Sequence, residues 1–178
     1  IAGMKLKIFS IVFLSLFFLK LIGQESSSPI KWKASSVKIE NNKYTIQLSA
    51  INSGGWELYA PGINFDGIRS AEIILPDSSI KIIAPLTSIT KGSTIKSKIF
   101  EGSSFEVFKN DAEWTMDIEF SRTTPSSIQL QLNYTYGKND EFFPGESTTL
   151  EVKFEGGTET KSSIKIQNLD IKIGRAHV

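Results

Sequence analysis

Trp114-Thr115-Met116-Asp117-Ile118-Glu119-Phe120 places an apolar side chain at every second position. A period of two is the mark of a strand with one face buried and the other wet. Trp114, Met116, Ile118 and Phe120 are therefore expected inside, and Thr115, Asp117 and Glu119 outside. Working downstream, Thr123-Thr124-Pro125-Ser126-Ser127 links this strand to Ile128-Gln129-Leu130-Gln131-Leu132-Asn133-Tyr134-Thr135-Tyr136, which alternates as strictly, and Thr148 to Phe154 alternates again. Upstream, Ile30 to Ile39 carries Ile30, Trp32 and Ala34 on one face, and Asn41-Asn42 turns the chain into a strand with Tyr44, Ile46, Leu48 and Ala50 inward. Ser53-Gly54-Gly55 breaks the pattern before a short strand from Trp56 to Tyr59, and Pro61-Gly62 opens a loop.

Ala71–Leu75 and Ile80–Ile83 flank Pro76-Asp77-Ser78-Ser79, a turn built from residues that preset φ or bond their own backbone, and the pair reads as a hairpin. Ile95–Phe100 and Phe105–Phe108 read as strands on either side of Glu101-Gly102-Ser103-Ser104. Seven to nine short strands with no long helical pattern and no internal repeat predict an all-β, immunoglobulin-like antiparallel β-sandwich, since a parallel sheet would need helices between its strands.

The ends of the chain read differently. Met4 is followed by Lys5 and Lys7, an apolar run from Ile8 to Leu19 broken by Ser10 and Ser15, and then Lys20-Leu21-Ile22-Gly23. This is the pattern of a cleavable signal peptide over residues 4–23, cut near Gly23-Gln24. The run is shorter than the ~20 residues of a spanning helix, and no cysteine follows it to carry a lipid. Residues 1–3 read as upstream translation, 24–29 as a linker and 30–160 as the sandwich. Residues 161–172, strand-like from Ser163, fit either an added edge strand or a linker. Residues 173–178 resemble the translation of a sequencing adapter, and His177, the only histidine, falls within them.

Between Gln24 and Lys172 stand 16 basic against 19 acidic residues, a net charge of −3. That gives no basic surplus for nucleic acid. The chain has no cysteine, so a core of one-domain size must stabilise it without cross-links. Thiol exchange, Ser-His or Cys-His nucleophilic catalysis and ordinary zinc sites each lack their key residue, and no metal or cofactor is expected. Only carboxylate, lysine or tyrosine chemistry stays open.

Several segments, in order, resemble the N-terminal periplasmic domain of the thiol:disulfide interchange protein DsbD family. Gly55-Trp56-Glu57-Leu58-Tyr59 is similar to an early Gly-aromatic-x-Leu-Tyr signature, and Ile73-Ile74-Leu75-Pro76 to the strand after it. Phe100-Glu101-Gly102 and Glu106-Val107-Phe108 resemble the family's cap-loop region. Tyr134-Thr135-Tyr136-Gly137-Lys138-Asn139-Asp140-Glu141-Phe142-Phe143-Pro144-Gly145-Glu146 sits where the family has a strand, its two cysteines and Pro-Pro-Glu. No one motif is specific; their order and spacing carry the resemblance.

The resemblance implies an immunoglobulin-like fold whose cysteine pair takes electrons from a membrane-embedded domain and passes them to periplasmic thiol proteins. Here the cysteine positions fall at or beside Gly137 and at Phe142. Neither residue can form the thiolate that exchange requires, so the domain is expected to be redox-inactive by itself and no catalytic residue is assigned.

What remains is binding. Phe142 and Phe143, adjacent in an expected loop with one exposed or covered by Phe100, are candidate anchors for a protein partner. The bland alternative is that both plug the end of the sandwich. Trp56 and Tyr59 are candidates for a ligand platform, although an inward Trp in a sandwich is more often core, as Trp32 and Trp114 are read to be. Asp66, Asp140 and Glu141 read as solvated turn carboxylates without calcium-loop spacing. The expected function is a periplasmic or otherwise exported module that binds a periplasmic protein or a membrane-embedded reductase domain. It would meet the membrane only through a region further along the natural protein. The alternative is an exported carbohydrate-binding or adhesin-type sandwich.

Overall fold

The computed structural model describes residues 28–100 and 102–159. The signal-peptide, linker-start, edge-strand and adapter readings, with His177, lie outside the described residues. Twelve strands, numbered in chain order, occur among those described: β1 Ile30–Glu40, β2 Lys43–Asn52, β3 Glu57–Tyr59, β4 Asn64–Phe65, β5 Ile68–Arg69, β6 Ala71–Ile74, β7 Ile80–Ser88, β8 Ser93–Lys96, β9 Ser104–Phe108, β10 Ala112–Phe120, β11 Ser127–Lys138 and β12 Glu141–Lys153. No helix is found among them.

The alternation of β10 places it at the centre of one sheet, ordered β1-β2-β10-β7. The second sheet runs β12-β11-β3-β9-β8, with β6 also paired to β11 below β3, and β4-β5 is a small separate hairpin. All the strand ladders are antiparallel. Lettered A, B, C, D, E, F and G, strands β1, β2, β3, β7, β10, β11 and β12 form an ABED sheet facing a GFC sheet, the constant-type immunoglobulin arrangement. The all-β, immunoglobulin-like sandwich expected from the sequence is the fold observed.

The core lies between the sheets and follows the period-two pattern. Tyr44, Ile46, Leu48 and Ala50 of β2, Trp114, Met116, Ile118 and Phe120 of β10, and Leu130, Leu132, Tyr134 and Tyr136 of β11 are all buried. Each fully buried large apolar side chain contributes about 1.5–3 kcal/mol, and in a chain without disulfides this burial carries the fold. At the lower end, Tyr44 packs edge-on against Phe120 and Phe154, and its hydroxyl donates to the Glu155 carbonyl at 2.8 Å. At the upper end, the Asn52 side-chain amide donates to the carbonyls of Trp56 and Phe108, tying the β2–β3 and β9–β10 connections together.

Three local expectations are corrected. Ala71–Leu75 and Ile80–Ile83 do not form a hairpin: β6 pairs with β11 and β7 with β10, so the Pro76–Ser79 turn carries the chain from one sheet to the other. The strand expected over Ile95–Phe100 stops at Lys96, where Ser97 turns the backbone by accepting from the amides of Ile99 and Phe100. Phe142 and Phe143 do not sit in a loop. They begin β12, whose ladder with β11 runs to the turn at Asn139-Asp140, so the strand is much longer than the Thr148–Phe154 stretch read from alternation.

Candidate functional site

The upper tip of the GFC sheet is built by the β11–β12 hairpin. Lys138 pairs with Glu141 across a two-residue turn in which Asn139 takes φ 57°, a left-handed conformation that Asn tolerates better than most residues. Next in the ladder, Gly137 stands directly opposite Phe142, and Tyr136 opposite Phe143. Consecutive strand side chains point to opposite faces, so the two phenylalanines part company.

Phe142 lies on the outer face of the sheet, half-buried in an aromatic cluster separate from the main core. Its ring centroid is 5.6 Å from Tyr59, 5.3 Å from Phe65 and 5.5 Å from Phe100, all edge-on. Phe100, from the loop between β8 and β9, stacks on Phe65 at 5.0 Å, and Phe105 closes the group. Phe65 reaches the cluster because β4 and β5 meet in a tight turn at Asp66-Gly67, with φ 48° and 98°. Phe143 faces the other way, stacked on Tyr136 at 5.0 Å with Trp56 edge-on at 5.9 Å, and is 39% exposed. It is the one aromatic among the large apolar side chains that stand exposed in the described residues.

Gly137 is there for space. Its φ is not in the left-handed region, but a Cβ built on it would stand 2.7 Å from the Glu141 carbonyl oxygen and 3.7 Å from the Tyr59 ring. The hairpin is drawn in around a residue without a side chain.

Beside this tip is a cleft of about 340 Å³ whose lining includes Glu57, Tyr59, Ile95, Lys96, Ile99 and Glu141. Lys98 pairs with Asp140 across its rim at 3.3 Å, and Lys109 holds Glu57 at 3.1 Å. Burial raises the Tyr59 phenol above its ordinary value, with the nearby Glu57 charge acting in the same sense, so Tyr59 is a neutral hydrogen-bond donor at physiological pH. Lys138 reaches back to donate to the Gly54 carbonyl at 2.8 Å, its ammonium 5.4 Å from the Trp56 ring centroid. The arrangement offers apolar contact, paired charges and a phenol donor. Among the described residues no cluster of three or more His, Cys, Asp or Glu side chains could hold a metal ion.

The candidates read from sequence thus fall into two groups at one tip. Phe142, Phe100 and Tyr59 share the outer cluster, and Phe143 and Trp56 share the stack at the mouth of the main core. Trp56 is half-buried and Tyr59 4% exposed, and the rings around them occupy the faces a sugar would use. Asp66 is an exposed turn residue, Glu141 is exposed at the start of β12, and Asp140 pairs with Lys98. Phe65 and Phe105 join the cluster without being among the sequence candidates. Asn64-Phe65-Asp66-Gly67 was the available sign, since Asp-Gly after an aromatic marks a tight hairpin.

No known protein family matches the chain, and no curated protein matches its sequence. Among solved structures, the chain is similar to the reduced N-terminal domain of DsbD from Neisseria meningitidis, at 11% identity and a TM-score of 0.41, covering 77% of this chain and 91% of that one. It has the same identity and TM-score to a structure of the complex between the DsbD N-terminal and PilB N-terminal domains of that organism, covering 80% of this chain and 95% of that one. The collagen-binding domain of a Staphylococcus aureus adhesin is similar at 10% identity and a TM-score of 0.32, with 72% and 99% covered.

Proposed function

We propose that this chain is an exported protein-binding module of the DsbD N-terminal type, unable to carry reducing equivalents by itself, that engages a periplasmic protein or a membrane-embedded reductase domain through the β11–β12 tip. The observation that supports the reading is the register: the resemblance places its cysteines at or beside Gly137 and at Phe142, Gly137 and Phe142 are direct cross-strand partners, and Phe100 lies against Phe142. Where a thiol pair would stand, this chain has a glycine without a side chain and a phenyl ring, and thiolate attack, the step common to all disulfide exchange, has no atom to start from. Binding surface remains at the same tip, with Phe143 and Ile99 exposed beside the Lys98–Asp140 and Lys109–Glu57 pairs.

The test is capture from periplasmic extract by wild type and by Phe143→Ser/Ile99→Ser, followed by titration calorimetry with each captured protein in purified form. Exposed aromatic anchors account for a large part of binding energy, so the double variant should lose at least about tenfold in affinity. Equal affinity for every partner removes the tip as the binding surface.

A further inference from the structure

The sandwich is open along one side, away from the β11–β12 tip. Below β3, β6 continues along β11, and β7 is the edge of the other sheet. Between them is a cleft of about 350 Å³, whose walls include Ile63, Ile73, Ile82 and Leu86 and whose floor reaches the core side chain Met116. Ile82 stands opposite the fully buried Ile118 and so points between the sheets, yet it is 49% exposed. Its neighbour Ile83 is 46% exposed, and Ile74, on the outer face of β6, 45%. A core-directed side chain open to water beside two more exposed isoleucines marks a surface that a partner covers.

The two margins of the cleft differ in what they can accept. β7 contains Pro85, and its ladder with β10 shifts register twice, features that keep a further strand off an edge. β6 pairs with β11 without a shift and has no partner on its other side among the described residues. The stretch Ala71-Glu72-Ile73-Ile74-Leu75 holds no lysine or proline to repel a strand, and the charge of Glu72 is met within the chain by Arg69 at 3.2 Å. Pro76, which has no amide to donate, then ends it.

We propose that the surface is covered by a second copy of this chain, joined β6 to β6 in antiparallel pairing about a two-fold axis that passes beside Ile73. A two-fold axis normal to the sheet leaves the faces of both copies aligned, so only residues that share a face can stand opposite one another. Setting Ile73 against the partner's Ile73 overlaps the whole stretch, with Glu72 opposite the partner's Ile74 and Ala71 opposite the partner's Leu75. The neighbouring register would set Glu72 against the partner's Glu72, and like charges directly opposite are destabilising. The same axis brings the upper end of each cleft, where Arg69 lies, to the lower end of the other copy, where Asp77 is exposed, so the two ends of the ladder carry opposite charges. Beside the ladder the two clefts face each other, and Ile82 and Leu86 of each copy meet their counterparts by side-chain packing, which the irregular β7 permits. A centre that is apolar on both sides and ends that are oppositely charged are self-complementary, as an isologous contact must be.

The absence of native cysteine lets single substitutions read the register. Only the residue on the axis meets itself, with Cα atoms about 4.5–5.5 Å apart, inside the range of about 4.4–6.8 Å that a disulfide needs. In the full chain under mild oxidation, Ile73→Cys alone should give a covalent dimer. Glu72→Cys and Ile74→Cys should each give little alone and should cross-link to one another when mixed. Self-cross-linking of Glu72→Cys, or equal yields at all three positions, overturns the pairing. Independently of any cysteine, sedimentation equilibrium of the wild-type chain should show monomers and dimers exchanging in the micromolar range, and Ile74→Lys/Ile82→Lys should weaken that association at least about tenfold at unchanged circular dichroism. A wild-type chain that stays monomeric throughout, or a double variant that dimerises as tightly, overturns the proposal.

Discussion

Gly137→Ala is the most informative single change at the tip, because two opposing effects can be separated there. Alanine restricts the unfolded chain more than glycine does and suits a strand better, which alone would stabilise by about 0.5–1 kcal/mol. The backbone at Gly137 has no positive φ to penalise a side chain. Against this, the new Cβ would stand 2.7 Å from the Glu141 carbonyl oxygen, a backbone atom that moves only if the β11–β12 ladder opens. Overpacking of this kind costs about 1–3 kcal/mol, so the steric term wins and the net loss should be about 1–2 kcal/mol. With a urea slope of about 1–3 kcal/mol/M, the midpoint should fall by roughly 0.5–1 M, read from tryptophan fluorescence. Gly145→Ala is the contrast: its φ is 68° and a Cβ there meets nothing within 4 Å, so its cost is conformational alone. A midpoint for Gly137→Ala equal to or above wild type would refute the argument that the hairpin is closed around a glycine.

Phe142→Ala and Phe143→Ala should differ although they are neighbours: the first removes a ring from the outer cluster and should cost about 2–3 kcal/mol, the second, 39% exposed, under about 1.5 kcal/mol, both measurable by urea unfolding. Tyr44→Phe leaves the Glu155 carbonyl without its donor and should cost about 1 kcal/mol with no change in the spectrum of the fold. Asp77 is held below the usual carboxylate range, first by the Ser79 amide and then by the Ser79 hydroxyl. Its contribution to stability is therefore present above the unfolded-state value near ~3.9 and is lost as pH falls through the lower native value, so Asp77→Asn should flatten the acid limb of the stability curve. Tyr134 is raised chiefly by burial, so stability should decline once pH passes the unfolded-state value of ~10, and Tyr134→Phe should lessen that alkaline decline in urea unfolding.

Much of this architecture was legible because most strands bury one face only. β10 and β11 declare their inward residues by period two, and every inward residue read from Trp114 to Phe120 is buried. The failure over Ala71–Ile83 has a physical reason. Pro76-Asp77-Ser78-Ser79 specifies that the chain turns, through the Asp77 side chain accepting from the Ser79 amide, but turn chemistry does not specify which sheet receives each arm. At the site, turn-forming pairs, Asn139-Asp140 and Pro144-Gly145, stand on either side of Phe142 and Phe143, yet only the first makes the hairpin turn; Gly145 marks a bulge where the register slips between Tyr134 and Tyr136 and the ladder resumes. The opposition of Gly137 and Phe142 could be reached only through long-range register, which local pattern does not contain.

The placement of β10 between β2 and β7 has a consequence for how the molecule is made. The β2 residue Leu48 pairs with Trp114, so the ABED sheet acquires its central strand only after residue 120 has been synthesised. Tyr44, Ile46 and Leu48 face the opposite sheet, whose long strands β11 and β12 come later still, and contacts this distant in sequence form slowly because the intervening loop must be closed first. A nascent chain therefore carries an exposed, strand-prone apolar face until β11 and β12 dock against it.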